Sequence, residues 1–258
     1  MVIAPPLPQR IALLTDFGAA SLYVGQVRLL LAQTAPGVAI IDLISDLPAM
    51  QPELAAYLLP RLLQGLPKHT LYLCVVDPGV GGSRAAVVLH TQDHWLIGPN
   101  NGLLGRLAQE TAPTRCLQVD WRPTHCSPTF HGRDLFAPLA AALIGGELPE
   151  PIHPIRREDI IGIDWPAERA EIVYIDHYGN LMTGLLAAQH DVHDSLIIAD
   201  QTLAFAPTFC AVPHGQAFWF HNALGLVEIA VNGGSAAARF QATLGHPIAW
   251  LPPQRVNS

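Results

Sequence analysis

Several short segments bring together side chains able to hold a polar ligand or to activate a nucleophile. Thr15-Asp16-Phe17-Gly18 follows the apolar run Arg10–Leu14 and sets a carboxylate just past the end of a strand. There it can accept hydrogen bonds from a ribose diol, or serve as an ordinary turn or helix cap. The run DPGVGGSR, from Asp77 to Arg84, carries three glycines between an acid and a base. Glycines lower bulk and let backbone N–H groups approach a ligand, and the terminal Asp77 and Arg84 can form a charge pair. A glycine-rich hairpin loop fits equally, and a Walker loop is excluded because no Lys-Ser/Thr follows. Gly98-Pro99-Asn100-Asn101-Gly102 reads as a tight turn leading into a helix. Phe130-His131-Gly132-Arg133-Asp134 places an imidazole beside a glycine just before a helix, where a histidine is either structural or a catalyst. Asp176, Tyr178 and Asn180 lie within IDHYGN. A carboxylate, an aromatic and an amide suit an ammonium, a ring face and a nucleobase edge, and they suit a plain turn as well. His190, Asp191, His193 and Asp194 have the look of a metal cluster, but no third ligand follows at a recognisable spacing. We expect a solvated loop there and no metal site.

These residues need elements to position them. Arg10–Leu14, Val38–Ile44, Thr70–Val76, Ala85–His90 and Trp95–Ile97 read as strands. Leu22, Val24, Val27, Leu30 and Leu31 fall roughly at helical spacing. Pro52–Gln64 reads as a helix with proline in its first turn. Asp134–Ile144 reads as another, with Asp134 as its N-cap. Strands alternating with helices predict an α/β domain with a mostly parallel sheet, sandwiched between helices, over 1–150. Pro149, Pro151, Pro154 and the polar run Arg156–Asp159 predict a linker over 151–169. Beyond it helices largely vanish. Ile172–Ile175, Ser195–Ala199, Ala217–His221 and Val227–Val231 are short strand candidates, and they predict a smaller β-barrel domain over 170–258.

Composition bounds the function. The chain has 258 residues, half of them apolar, which is ample for a packed core and excludes a disordered chain. Charged residues make up only 14% and the net charge is −7, which argues against a nucleic-acid partner. The longest apolar stretch, Leu135–Ile144, is too short to span a bilayer and contains Pro138. The opening MVIAPPLPQR lacks the basic and apolar regions of a signal peptide. Cys74, Cys116, Cys126 and Cys210 show no CxxC spacing, so neither a zinc site nor a disulfide framework is expected. A cytoplasmic protein without a membrane partner is the expectation.

Taken in order, TDFG, VVDPGVGGSR, GPNNGLL, TFHGRD and IDHYGN resemble the S-adenosyl-L-methionine (SAM) hydroxide adenosyltransferases, relatives of the SAM-dependent fluorinases and chlorinases. The resemblance runs from Ile11 to Ser235, nearly the whole chain. It implies an α/β N-terminal domain, a β-barrel C-terminal domain and a homotrimer with active sites between subunits. It also implies hydrolysis of SAM to adenosine and L-methionine by an Asp–Arg–His set, here Asp77, Arg84 and His131. Asp16 matches the ribose-binding aspartate, Asp176 the carboxylate for the methionine ammonium, and Asn180 the amide that reads adenine; Tyr178 lies between the last two. SAM is then the substrate, and no cofactor is required.

Departures from the halogenases point the same way. They carry a tyrosine where Asp77 stands, and Gly132 occupies the position of the fluorinase serine. Ser21 replaces their methionine-binding aspartate, and Ala223-Leu224 their Ser-Arg pair, so recognition of the methionine end must differ. The sulfonium leaves as a neutral thioether and needs no general acid. Asp77 and His131 would hold or deprotonate a water aimed at C5′, with Arg84 fixing Asp77. A chlorinase and a non-catalytic adenosine- or SAM-binding module are the rivals. A carboxylate beside the nucleophile repels halide, and a pure binder has no use for a water-activating set.

Overall fold

The computed structural model describes residues 1–3 and 6–251, so 252–258 of the expected second domain lie outside it. The chain divides into two compact units, 1–165 and 166–258. The first is built on β1 (Arg10–Thr15), β2 (Ala39–Ile44), β3 (Thr70–Val75), β4 (Ala86–His90), β5 (His94–Pro99), β6 (Arg115–Val119) and β7 (Ile152–Pro154). They form one sheet in the order β2-β1-β3-β5-β4-β6-β7. β2, β1, β3 and β5 are parallel neighbours, while β4 and β7 run against their partners, so five of the seven strands point one way.

Every residue of β3 is buried, which is why its sequence is a continuous apolar run rather than an alternation. Helix α1 (Leu22–Thr34) follows β1. Its buried Val24, Val27 and Leu31 make one apolar stripe. With Leu139, Ala140 and Leu143 of α4 (Ala137–Ile144), Val27 and Leu31 share a core with Ile11, Leu13, Leu71, Leu73 and Val88 of the sheet. The intervening residues Ala12, Leu14, Tyr72 and Leu89 are buried too. On Leu96's side of β5 lie the ends of α2 (Pro52–Leu62) and α3 (Gly105–Thr111). Pro52 opens α2, where its fixed φ already suits a helix.

Two expectations need correction. Asp134 is no N-cap: a π-helical turn over Gly132–Phe136 precedes α4, and Asp134 sits inside it. Its carboxylate accepts from the Ser127 amide at 3.0 Å and from the Arg133 guanidinium at 2.6 Å. Residues 151–169, expected as a linker, are largely integrated: β7 pairs with β6, and Arg157–Asp159 forms a 3₁₀ turn closed by Arg156 and Asp159.

The second unit holds two antiparallel sheets. One orders β12 (Ala217–His221), β13 (Leu226–Val231), β9 (Leu181–Leu186) and β8 (Arg169–Ile175); the other orders β11 (Gln201–Leu203), β10 (Ser195–Ile198) and β14 (Ala249–Leu251). Backbone bonds close them into a barrel at both seams. Ala206 donates to Trp219 at one, and Ile248 donates to Ala170 at the other. Trp219, Ile172, Leu196 and Ile229 fill the interior. The sequence reading missed β6, β9, β11, β14 and the short helix α5 (Ala236–Phe240). β11 and β14 have three residues each, and Gly184 interrupts the apolar run of β9. Such segments carry too little periodicity to stand out.

Candidate active site

The strand order reverses direction at β1 and β3: the chain steps from β1 outward to β2, then returns past β1 to β3. Ligands of open α/β sheets collect in the crevice at the carboxyl ends of such strands. Asp16 directly follows β1, and Asp77 lies two residues beyond β3. Both line a cavity of about 320 Å³ together with Phe17, Tyr23, Met50, Phe130 and His131.

Asp77 and Arg84 bracket the loop from β3 to β4, and their side chains are only 5% and 9% exposed. The guanidinium grips the carboxylate on two edges: Nε reaches Oδ1 at 2.9 Å, and Nη2 bonds Oδ2. Arg84 Nη2 also meets His131 Nδ1 at 2.7 Å. Arginine has no lone pair to offer, so Nδ1 accepts and the neutral ring carries its proton on Nε2. Burial, and then the charge of Arg84, push the His131 pKa below the ordinary imidazole value. A protonated ring would turn an N–H toward the guanidinium. Arg84 lies over the face of Phe136, 4.9 Å from its centroid, and its Nη1 is buried without a partner among the described residues. The trio therefore retains the two N–H groups of Arg84 Nη1 and the Nε2–H of His131. Gly81 lets this loop reach the 127–132 segment: its φ is +80°, and a side chain there would collide with the Pro128 carbonyl.

Asp16 Oδ2 accepts from the Met50 amide at 2.9 Å. Met50 takes a left-handed φ of 60° to make that bond. Burial raises the Asp16 pKa, against the Met50 bond, and the nearby Asp77 charge adds to the rise. Phe130 packs edge to face with both Phe17 and Tyr23, its centroid 4.9 Å from that of Tyr23, and Phe17 and Tyr23 are tilted against each other. Tyr23 and Met50 escaped the sequence reading, since neither lies in a recognisable motif. Phe17 and Phe130 were visible as members of TDFG and TFHG. Ser21 is not among the cavity-lining residues; it caps α1, its Oγ accepting from the Tyr23 amide at 3.1 Å.

The other expected residues gather in the second unit. Asp176 Oδ1 accepts from the amides of Tyr178 and Asn180, at 2.9 and 2.8 Å, and Oδ2 from the Asn180 side chain at 2.9 Å. Asp176, Tyr178 and Asn180 line a cavity of about 570 Å³ with Phe209, Val231, Gly233 and Gly234. Tyr178 is 76% exposed, leaving its ring face open. His190 bonds Glu168 at 2.9 Å and Asp194 accepts from Trp250 Nε1 at 2.7 Å. Among the described residues no group of three or more His, Cys, Asp or Glu is arranged to hold a metal ion. No helix there is long and apolar enough to cross a membrane.

Fold and site define an α/β protein with a largely apolar cavity at a sheet switch point, into whose wall Asp16, Asp77 and His131 are set, in a chain that also carries a small β-barrel. The chain belongs to the SAM hydroxide adenosyltransferase family. Residues 11–153 match the SAM hydroxide adenosyltransferase N-terminal domain and 170–249 the C-terminal domain. A Thermus thermophilus protein named (R)-S-adenosyl-L-methionine hydrolase is 35% identical, with 92% of this chain and 98% of that one covered. A Salinispora arenicola protein of the same name is 33% identical over 91% and 95%. A fluorinase from an Actinoplanes species is more distant, at 25% over 68% of this chain and 71% of that one. The crystal structure of a conserved hypothetical protein from Thermus thermophilus superposes with a TM-score of 0.77 at 32% identity, covering 94% of this chain and all of that one.

Gly132 generates a test of how tightly the cavity wall is packed. A Cβ on it would lie 2.7 Å from Phe17 Cζ, inside contact distance. Gly132→Ala should displace the Phe17 ring and lower unfolding free energy by about 1–3 kcal/mol in chemical denaturation. An unchanged midpoint would show that Phe17 yields freely.

Proposed function

We propose that this protein hydrolyses SAM to adenosine and L-methionine by attack of water on C5′ of the ribose. The (R) epimer at sulfur, which the relatives' names specify, is the form we assign as substrate. The observation that carries this is the bonded trio Asp77–Arg84–His131 with Asp77 and His131 in the wall of one cavity. In our scheme a water lies between the Asp77 carboxylate and the His131 Nε2–H. Asp77 accepts its proton as the new C–O bond forms, and the C–S electron pair leaves on methionine's neutral sulfur. His131 donates to the water and holds its lone pair toward C5′. Arg84 keeps the Asp77 carboxylate oriented. Alignment of this kind can lower a barrier by about 7 kcal/mol. Asp16, half-buried beside the same cavity, is assigned the ribose diol, with Oδ1 available because Met50 occupies Oδ2. Asn180 is assigned the adenine edge, Tyr178 a ring face and Asp176 the methionine ammonium. Ser21, already engaged as a helix cap, is left a peripheral role at the methionine end.

We further propose a homotrimeric assembly in the cytoplasm. α1 exposes Leu22 and Leu29, 65% and 62% accessible, and the edge strand β2 exposes Ile41. An apolar edge of this kind favours burial against another copy. Light scattering at micromolar concentration should return three chain masses, and a monomer mass would overturn the assembly.

Asp77→Ala and His131→Ala should each lower kcat by roughly 10²–10⁴ with SAM affinity nearly unchanged, because both groups act on the nucleophile. In ¹⁸O-water the label should enter the 5′-hydroxyl of adenosine. Unlabelled adenosine, or 5′-chloro-5′-deoxyadenosine as product in chloride, would defeat the assignment.

The acid limb of the rate profile follows from His131. Its pKa lies below the ordinary imidazole value, so the ring is neutral at pH 7 and gains a proton only on acidification. Activity should hold down to about pH 6.5, the unperturbed histidine value, and fall below it. A profile already falling between pH 8 and 7 would contradict the neutral-ring role.

A further inference from the structure

The GPNNGLL turn has no part in the chemistry above, yet it touches both ends of the loop that carries Asp77 and Arg84. Parallel pairing of β3 with β5 ends at Leu73 and Ile97, and pairing with β1 ends at Val75. The Val76 carbonyl, in a fully buried residue, therefore lies beyond both ladders. Such a group needs a partner from elsewhere. Asn101 supplies it: its Nδ2 donates to the Val76 oxygen at 2.9 Å. The Asn101 Oδ1 in turn accepts from the Leu103 amide at 3.2 Å, which orients the side chain. At the other end of the loop, the Asn100 amide donates to the Ala85 carbonyl at 2.9 Å and extends the β4–β5 ladder by one bond. The Val76 carbonyl belongs to the same planar peptide as the Asp77 nitrogen. Holding that oxygen fixes the plane from which the Asp77 side chain departs.

We infer that Asn101 is a positioning residue: through the Val76–Asp77 peptide it sets the angle at which the Asp77 carboxylate meets Arg84, and through Arg84 the placement of His131. This rests on the assignment of Asp77 to the nucleophile. The neighbouring Asn100 side chain offers a matched comparison, because its Nδ2 donates to the Asp159 carbonyl at 3.1 Å and its Oδ1 accepts from the Ile161 amide at 2.9 Å. Those bonds hold the 159–161 segment and leave Asp77 untouched.

Asn101→Asp keeps the acceptor toward Leu103 and replaces the donor toward Val76 with an oxygen. Asn100→Asp makes the same exchange one residue away. Both should lower Tm. Only Asn101→Asp should also lower kcat, by about 10- to 100-fold with KM within threefold, as expected for a misplaced reacting group. A kcat within twofold of wild type for Asn101→Asp, or equal losses in the two variants, would overturn the inference. A second measurement needs no turnover. In Asn101→Ala, which adds no charge, Arg84 should loosen from His131 Nδ1, and the His131 ring, assigned by its loss in His131→Ala, should titrate at higher pH in NMR. An unchanged titration would overturn the positioning role. Should the wild-type chain form no adenosine, the hydrolase assignment fails while this titration still decides the role of Asn101.

Discussion

The buried ion pair between Asp77 and Arg84 is the constraint around which the first unit is arranged. Removing both charges from water costs several kcal/mol each, and their attraction offsets that only when geometry is good and the remaining valences are met. Here Arg84 meets two carboxylate oxygens and the His131 ring, and lies against the Phe136 face. One nitrogen, Nη1, is left over. A buried guanidinium N–H with no protein partner is unfavourable by itself and favourable once an oxygen arrives. The pair thus holds part of its hydrogen-bonding capacity in reserve, and the residues around it serve to stop that capacity from being met by a collapse of the loop. Gly81 lets the loop lie close against the Pro128 carbonyl, and Asn101 bonds the Val76 carbonyl at the loop's start.

The same arrangement limits what each group can do. With Nδ1 bonded to a permanent cation, His131 has its remaining N–H on Nε2 and is a donor while neutral. The carboxylate is then the stronger candidate to receive a proton. Asp16 stands at the next strand end, and its raised pKa comes chiefly from burial, with Asp77 adding to it. Two carboxylates at adjacent strand ends repel, and the cost is reduced because each has its own donor, Met50 for one and Arg84 for the other. A bound sulfonium would add a positive charge to this acidic setting. With two carboxylates against one guanidinium, these strand ends carry net negative charge, which disfavours an anion between them.

Much of this was legible in the sequence because it is local. Asp77 and Arg84 are seven residues apart with glycines between, and a loop of that composition brings its ends together. Asp16 and His131 stand beside strand and helix boundaries that apolar periodicity exposes. What stayed hidden depends on distant chain. Met50 reaches Asp16 across 34 residues through a backbone amide, which no side-chain pattern encodes. Asp134 has the type and position of an N-cap, but Ser127 and Arg133 claim its oxygens and the helix begins with a π-turn instead. Proline-rich residues 151–154 look like a linker, yet β6 needed an edge partner and β7 provides it. In the barrel, strands of three residues fall below the length at which alternation can be read.

Asp176 shows how far residue type alone underdetermines a role. Within its own turn the carboxylate already accepts three hydrogen bonds, two from backbone amides and one from Asn180. These bonds fix the orientation of the carboxylate. The two oxygens of a carboxylate offer about four lone-pair sites, so roughly one remains for a ligand. That suits a single N–H of an ammonium approaching from the cavity and disfavours a bidentate guanidinium. Asn180, having given one of its two Nδ2–H groups to Asp176, keeps the other and its side-chain Oδ1, which would accept from an exocyclic amine such as that of adenine. The turn therefore does two things at once: it builds itself from the polar atoms of Asp176 and Asn180, and by using some of them it selects which remain to be offered.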